Sequence, residues 1–326
     1  MKALVTGGTG FLGSHIAREL ARRGYQVRIL RRKTSRLDLI ADLQVEHAIG
    51  DVLEPESLRA AMEGVDWVFH TAAVADYWRN DPDRIYRVNV DGTRNVLEAA
   101  EQLGVERVIF TSSAQAIGWR ADLRPMDETV RFNWNPHLTP YGHSKFLAET
   151  EVFRAIRRGL DCVILNPVVI LGPDDINQIS SSTVIEMARG NVPPTAPPGG
   201  ATLIDVRDVA VAHIAAAERG RTGERYSLGS VDLTHKAWLR LTAHVLGKST
   251  RLITLPASVV LLVAYAADAL RRLGVKLPIE GNQLRLSTRT MFYNCAKSWR
   301  ELDEPRVPIQ QSIREAYDWY RAHGDI

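Results

Sequence analysis

A chain of 326 residues, 45% hydrophobic and 24% charged, is long enough to bury a full core and suits one large domain with a smaller one attached. Its formal net charge of +3 is small, so no general electrostatic pull toward nucleic acid or anionic lipid follows from it. Cys162 and Cys295 lie far apart without metal-type spacing, which reads as two free thiols in a reducing compartment.

Residues 1–5 run straight into a glycine motif and leave no room for a signal peptide, so a cytoplasmic protein is expected. Short β-branched runs at 2–6, 26–30, 45–49, 67–70, 107–111 and 162–166 alternate with helical patterns at 11–23, 56–62, 84–103 and 141–158. That alternation predicts an α/β fold, a Rossmann-type doubly wound parallel sheet whose ligands sit outside the carboxyl ends of the strands. The texture changes after Gly172, and a stretch holding Pro193, Pro194, Pro197, Pro198, Gly199 and Gly200 is not expected to be regular helix or sheet interior. Residues 202–205 are expected to return a strand to the sheet. Beyond Gly223 the chain reads as mostly helical, with apolar periodicity at 239–246, 259–273 and 313–320. The expected organisation is a dinucleotide-binding domain at 1–171, with 201–222 returning to it, and a smaller, mostly helical substrate-binding domain at 172–200 and 223–326. The longest apolar run, 252–270, is interrupted by Pro256 and Asp268 and falls short of the ~20 residues of a membrane span. It reads as a buried or amphipathic helix, with surface contact to a membrane as the alternative. No integral membrane segment is expected.

Thr6-Gly7-Gly8-Thr9-Gly10-Phe11-Leu12-Gly13 follows the first strand and opens the first helix. Gly7 and Gly10 permit a tight turn and close approach of backbone to a pyrophosphate, and Gly13 allows helix to pack on strand. The amide N–H groups at the helix start, with the positive dipole end, suit phosphate. In dinucleotide-binding sheets an acidic residue closing the second strand bonds the ribose 2′-hydroxyl. Here that position is Arg31, with Arg32, Lys33 and Arg36 nearby. A guanidinium matches a 2′-phosphate instead, so NADP(H) is favoured, with NAD(H) as the alternative.

Tyr141-Gly142-His143-Ser144-Lys145 sets a phenol and an ammonium four apart on one helix face. An unperturbed tyrosine titrates near ~10, and a nearby cation stabilises its phenolate, which suits a general acid/base. Tyr293 and Lys297 repeat the spacing, but lie outside the sheet pattern. His70 and His143 have no clustered partner that would make a metal site.

The spacing Gly7, Gly10, Gly13 together with Tyr141 and Lys145 resembles the extended branch of the short-chain dehydrogenase/reductase superfamily, the epimerase/dehydratase-like proteins. The resemblance implies a catalytic serine at the end of the fifth strand, in Thr111-Ser112-Ser113-Ala114. Ser113 matches best and Ser112 is the second choice. It implies cofactor contacts at Asp51 and Val52 (adenine side), at Thr71, Ala72 and Ala73 (pyrophosphate and ribose), at Asn89 (nicotinamide side), and at Thr111, Tyr141, Lys145 and Pro167. For Asp51 a helix-capping role is the competing reading. Asn166 stands where the family usually carries arginine. Nucleotide-sugar members grip the sugar-nucleotide pyrophosphate with an arginine that aligns here with Ala201. The run as a whole, through residues 291–297, resembles the dihydroflavonol reductase and 3β-hydroxysteroid dehydrogenase-like branch. That branch implies a small apolar or aromatic ketone, aldehyde or alcohol as substrate. Trp119, Phe132, Trp134, Phe292 and Tyr293 are candidates to line its pocket. A sugar epimerase or dehydratase with retained cofactor is the alternative. The resemblance also implies a homodimer through the helices at 84–103 and 141–158.

Overall fold

The structure is a computed structural model that describes residues 1–75, 81–275 and 280–326. In chain order the strands are β1 (Lys2–Thr6), β2 (Gln26–Arg31), β3 (Glu46–Ile49), β4 (Trp67–His70), β5 (Arg107–Thr111), β6 (Cys162–Pro167), β7 (Val169–Leu171), β8 (Thr195–Ala196), β9 (Gly200–Asp205), β10 (Arg225–Leu228), β11 (Val231–Thr234), β12 (Ile253–Thr254) and β13 (Thr290–Met291). The helices are α1 (Phe11–Arg22), α2 (Pro55–Met62), α3 (Pro82–Tyr86), α4 (Gly92–Leu103), α5 (Pro140–Arg158), α6 (Ser182–Arg189), α7 (Val206–Arg219), α8 (His235–Val245), α9 (Ala257–Arg272), α10 (Gly281–Ser287), α11 (Ala296–Glu301) and α12 (Ile309–Ala322).

A seven-stranded sheet, ordered β10-β6-β5-β4-β1-β2-β3, is parallel throughout and is the core of a Rossmann-type fold. Strands buried on both faces carry apolar side chains in both directions. In β1, Ala3 and Val5 join the core beneath α1 and α7, while Leu4 points to the opposite core beneath α2, α4 and α5. Trp67 and Phe69 in β4 divide from Val68 in the same way, and so does Ile109 in β5 from Val108 and Phe110. Burying a side chain such as Leu4 or Phe69 completely contributes roughly 1.5–3 kcal/mol.

Two expectations about the sheet need correction. Residues 202–205 form a strand, but β9 pairs with β7, β11 and β13 in a second sheet. The seventh main-sheet strand is β10, which lies in the stretch read as helical. Its run Arg225-Tyr226-Ser227-Leu228 is too short to show period 2 clearly, and its pairing with β6 is a long-range choice. The helix expected at 84–103 is also interrupted. A π turn, Arg87–Asp91, separates α3 from α4, and its inserted residue turns Asn89 into the interior. The apolar run at 252–270 becomes β12 and α9. Among the described residues no helix is long and apolar enough to cross a membrane.

Candidate active site

The carboxyl edge of the main sheet opens into a cleft of about 1260 Å³. At its floor Gly7 takes φ +71, and a Cβ there would stand 2.8 Å from the Ala72 nitrogen. At Gly13 a Cβ would meet the Gly7 carbonyl oxygen at 2.2 Å, so helix and loop touch only because no side chain intervenes. Gly10 caps α1 without a side-chain hydrogen bond, so among the described residues no capping side chain occupies that position. Thr9, Phe11 and Leu12 complete the loop's lining of the cleft. This cradle fits a pyrophosphate: open backbone, positive dipole end, and no room for a bulkier residue.

Arg31 closes β2 and lines the cleft with Arg32 and Arg36. Arg31 Nε lies 3.3 Å from His47 Nδ1, and Arg36 pairs with Asp38 at 2.6 Å. Of the three arginines, Arg36 is the one with an acidic partner close by in sequence. Asp51 and Val52 line the neighbouring wall, and Asp51 Oδ1 accepts from the Leu53 amide at 3.0 Å. Asp51 thus closes a turn; the N-cap position of α2 belongs to Glu54. Thr71, Ala72 and Ala73 follow β4 into the cleft, and Thr71 donates to the Thr6 carbonyl at 2.7 Å.

Ser113, Tyr141 and Lys145 converge where β5 ends against the first turns of α5. Thr139 caps that helix, accepting from the Gly142 amide at 3.2 Å, and Pro140 occupies the first turn, where a missing N–H costs nothing. The Tyr141 ring is partly exposed to the cleft, but its hydroxyl lies deep. Burial pushes the phenol up to about 12, while a hydrogen bond with the Ser113 side chain pulls it back. Lys145 is buried and its Nζ donates to the Thr111 carbonyl at 2.7 Å. Burial draws the ammonium down to about 7, with the Glu149 carboxylate opposing. Each shift is a burial penalty on the charged form, and the two groups stand four residues apart on one face of α5. Of the two candidate serines, Ser113 meets Tyr141; Ser112 instead donates to Glu149 Oε1 at 2.5 Å.

Behind the pair stands a polar layer that sequence reasoning did not include. Glu149 continues the four-residue interval of Tyr141 and Lys145, and that interval was the available signal. Its Oε1 also accepts from Asn166 Nδ2 at 2.6 Å, and its Oε2 lies 3.2 Å from Arg225 Nε. Asn166 therefore supplies a neutral donor where the family usually carries arginine, and the cation comes from Arg225 on β10. His213 on α7 is a second unforeseen member. Its Nδ1 donates to the Val209 carbonyl at 2.8 Å, so Nε2 accepts from the Thr111 hydroxyl at 2.8 Å. Burial draws this imidazole down to about 4, which fixes it neutral.

Asn89, expected near the nicotinamide side, is fully buried and holds the cleft-lining Val74: its amide accepts from the Val74 N–H at 2.7 Å, donates to the Val74 carbonyl at 3.0 Å and donates to Ser144 Oγ at 2.9 Å. The π turn carries it there, a deviation no helical periodicity announces. Pro167, at the end of β6, lines the cleft as expected. The second Tyr-Lys spacing is not a helical pair. Tyr293 bridges to Met126 and donates to the Ala114 carbonyl at 3.0 Å, whereas Lys297 on α11 pairs with Glu224. Of the five aromatics proposed for the pocket, only Tyr293 lines the cleft, joined by Trp238 and Met291. Trp119 packs against Trp134 and under the Arg289 guanidinium, and Phe132 stacks on Phe146 at 4.6 Å.

The chain matches the NAD dependent epimerase/dehydratase family over residues 3–229. It is 35% identical to "Putative dihydroflavonol 4-reductase" of Synechocystis sp. over 99% of this chain and 95% of that protein. It is 31% identical to "Sterol demethylase protein B" of Methylococcus capsulatus over 100% of both. Among solved structures, gox2253 superposes with a TM-score of 0.88 at 36% identity, covering 99% of each chain. The glycine cradle, the parallel sheet and these likenesses agree: the chain belongs to the NAD dependent epimerase/dehydratase family and is an NAD(P)-dependent oxidoreductase of the extended short-chain dehydrogenase/reductase type.

Proposed function

We propose that this enzyme reduces a ketone or aldehyde on an apolar or aromatic small molecule, or oxidises the matching alcohol, with NADP(H). Reduction of a C=O bond needs a hydride at carbon and a proton at oxygen. A bound nicotinamide dinucleotide supplies the hydride chemistry, and the chain's own residues manage the oxygen. The Tyr141 hydroxyl delivers the proton in reduction and accepts it in oxidation. The Ser113 hydroxyl orients the same oxygen and offsets the charge it develops. The Lys145 ammonium favours the phenolate left on Tyr141. Gly7, Gly10 and Gly13 would hold the pyrophosphate, with Thr71 to Ala73 opposite, and Arg31 and Arg32 would hold a 2′-phosphate.

The observation that carries the reductase reading is Ala201. It is buried in β9 and lines the cleft, and the resemblance aligns it with the arginine of nucleotide-sugar members. A methyl group there offers a sugar-nucleotide pyrophosphate no cation. Arg31 supports the same reading, because epimerases and dehydratases that regenerate their cofactor within one turnover typically hold NAD, whereas a guanidinium at this position suits a 2′-phosphate. The helices α4 and α5, with the π turn between α3 and α4, are the expected homodimer face.

The test is to denature freshly purified protein, identify any released nucleotide by mass spectrometry, and titrate the emptied protein with NADPH and NADH. Protein that is empty or carries NADP(H), and binds NADPH more tightly, supports the reductase. Tight stoichiometric NAD would overturn it in favour of an epimerase or dehydratase with retained cofactor.

A further inference from the structure

Helix α9 turns an apolar stripe outward. Val259, Leu262, Val263, Leu270 and Leu273 recur at intervals of one helical face, and Leu262 and Leu273 are 70% and 80% exposed. The residues that pack inward on the same helix are small: Val260, Ala264 and Ala267. Tyr265 on the same helix is 63% exposed, with the Arg285 guanidinium over its ring. Proteins rarely leave so large an apolar surface bare, and such a patch marks a binding face.

The charges around the stripe say what covers it. Asp268 pairs with Arg285, and Glu280 with Arg271 at 3.7 Å. Arg251 before the stripe and Arg272 in its last turn are exposed cations. Two copies packed symmetrically through α9 would set arginine against arginine at both ends, in parallel or antiparallel orientation. An anionic lipid surface accepts both the apolar stripe and the flanking arginines, and an aromatic such as Tyr265 suits the headgroup boundary. The helix is too short to span a bilayer, so it lies in the interface. Arg271 is exposed and also lines the cleft with Glu280, so the mouth of the cleft opens beside the end of this helix.

We infer that the outer face of α9 docks the enzyme on an anionic lipid bilayer, with its cleft opening at the membrane surface. This docking stands apart from the proposed reaction and is read without turnover. Full-length protein is floated with vesicles of phosphatidylglycerol and phosphatidylcholine in equal amounts. The wild type is expected to float, and Leu262→Asp with Val263→Asp to reduce the floating fraction at least tenfold while NADPH binding is retained. Arg251→Ser with Arg272→Ser is expected to weaken binding several-fold at moderate salt. Should the aspartate variant fail to fold, Leu262→Cys labelled with a polarity-sensitive dye replaces it, and a blue shift on adding vesicles is the expected result. Wild type that stays unbound, an aspartate variant that floats equally, or an unshifted dye would overturn the inference. So would wild type that stays unbound while the aspartate variant drops to a smaller species in light scattering, since a second copy then covers the face.

Discussion

Glu149 and Arg225 form a buried ion pair, 3.2 Å between Oε2 and Nε, about two helical turns along α5 from Tyr141. Desolvation raises the carboxyl, and Arg225, Ser112, Asn166 and Lys145 each draw it back toward the charged form. Removing one partner leaves the other charge buried and uncompensated. Glu149→Gln is therefore expected to cost about 3 kcal/mol in urea unfolding. Adding Arg225→Met should recover much of that loss. If the double variant is no more stable than Glu149→Gln alone, the pair is not the unit that matters.

Tyr141→Phe keeps the ring in its place and removes the exchangeable proton. It should lower kcat/KM for carbonyl reduction by roughly 10²–10⁴-fold and leave the NADPH dissociation constant within a few-fold. Ser113→Ala should lose less than Tyr141→Phe, because it orients rather than transfers. Equal activity of Tyr141→Phe and wild type, measured by NADPH oxidation, would remove Tyr141 from the chemistry.

Arg31→Asp places an acceptor where a guanidinium stands. The variant should lose NADPH affinity by roughly 10- to 100-fold, the worth of a charge-assisted bidentate contact, and gain on NADH. Titration by fluorescence with both nucleotides reads this directly, and an unchanged ratio would sink the 2′-phosphate assignment.

Gly13→Ala drives a methyl group to 2.2 Å from the Gly7 carbonyl oxygen, so the loop must move. A cost of about 1–3 kcal/mol is expected, together with loss of dinucleotide binding. A variant with wild-type Tm and full affinity would show that the loop yields without consequence.

His213 and His70 are held neutral by burial, at about 4 and about 3. Both lie below the unfolded value near 6.5, so as pH falls the unfolded chain binds protons first. Stability is full above about 6.5 and declines below it. By pH 5 the loss is about 2 kcal/mol for each imidazole at most. Urea midpoints from pH 7.5 to 5 measure the slope, and His213→Gln should flatten it. A midpoint unchanged across that range would contradict the burial argument.

What the sequence determined by itself was whatever physics writes locally. Six strands of the main sheet, the glycine turn into α1 and the Tyr141–Lys145 face of α5 follow from period, punctuation and spacing within single elements. Those signals are short in range, since a turn needs its glycines and a helix face needs its four-residue interval. Tertiary structure decided what depends on partners far apart in the chain. It made β10 rather than β9 the seventh strand, because pairing with β6 is a long-range choice and backbone pairing carries little sequence code. It buried Asn89 through a π turn, separated Tyr293 from Lys297 despite their spacing, and brought Arg225 to Glu149 in place of the arginine missing at Asn166. A buried charge must be met, but the sequence does not say from which strand, and only packing brings the answering side chain within reach.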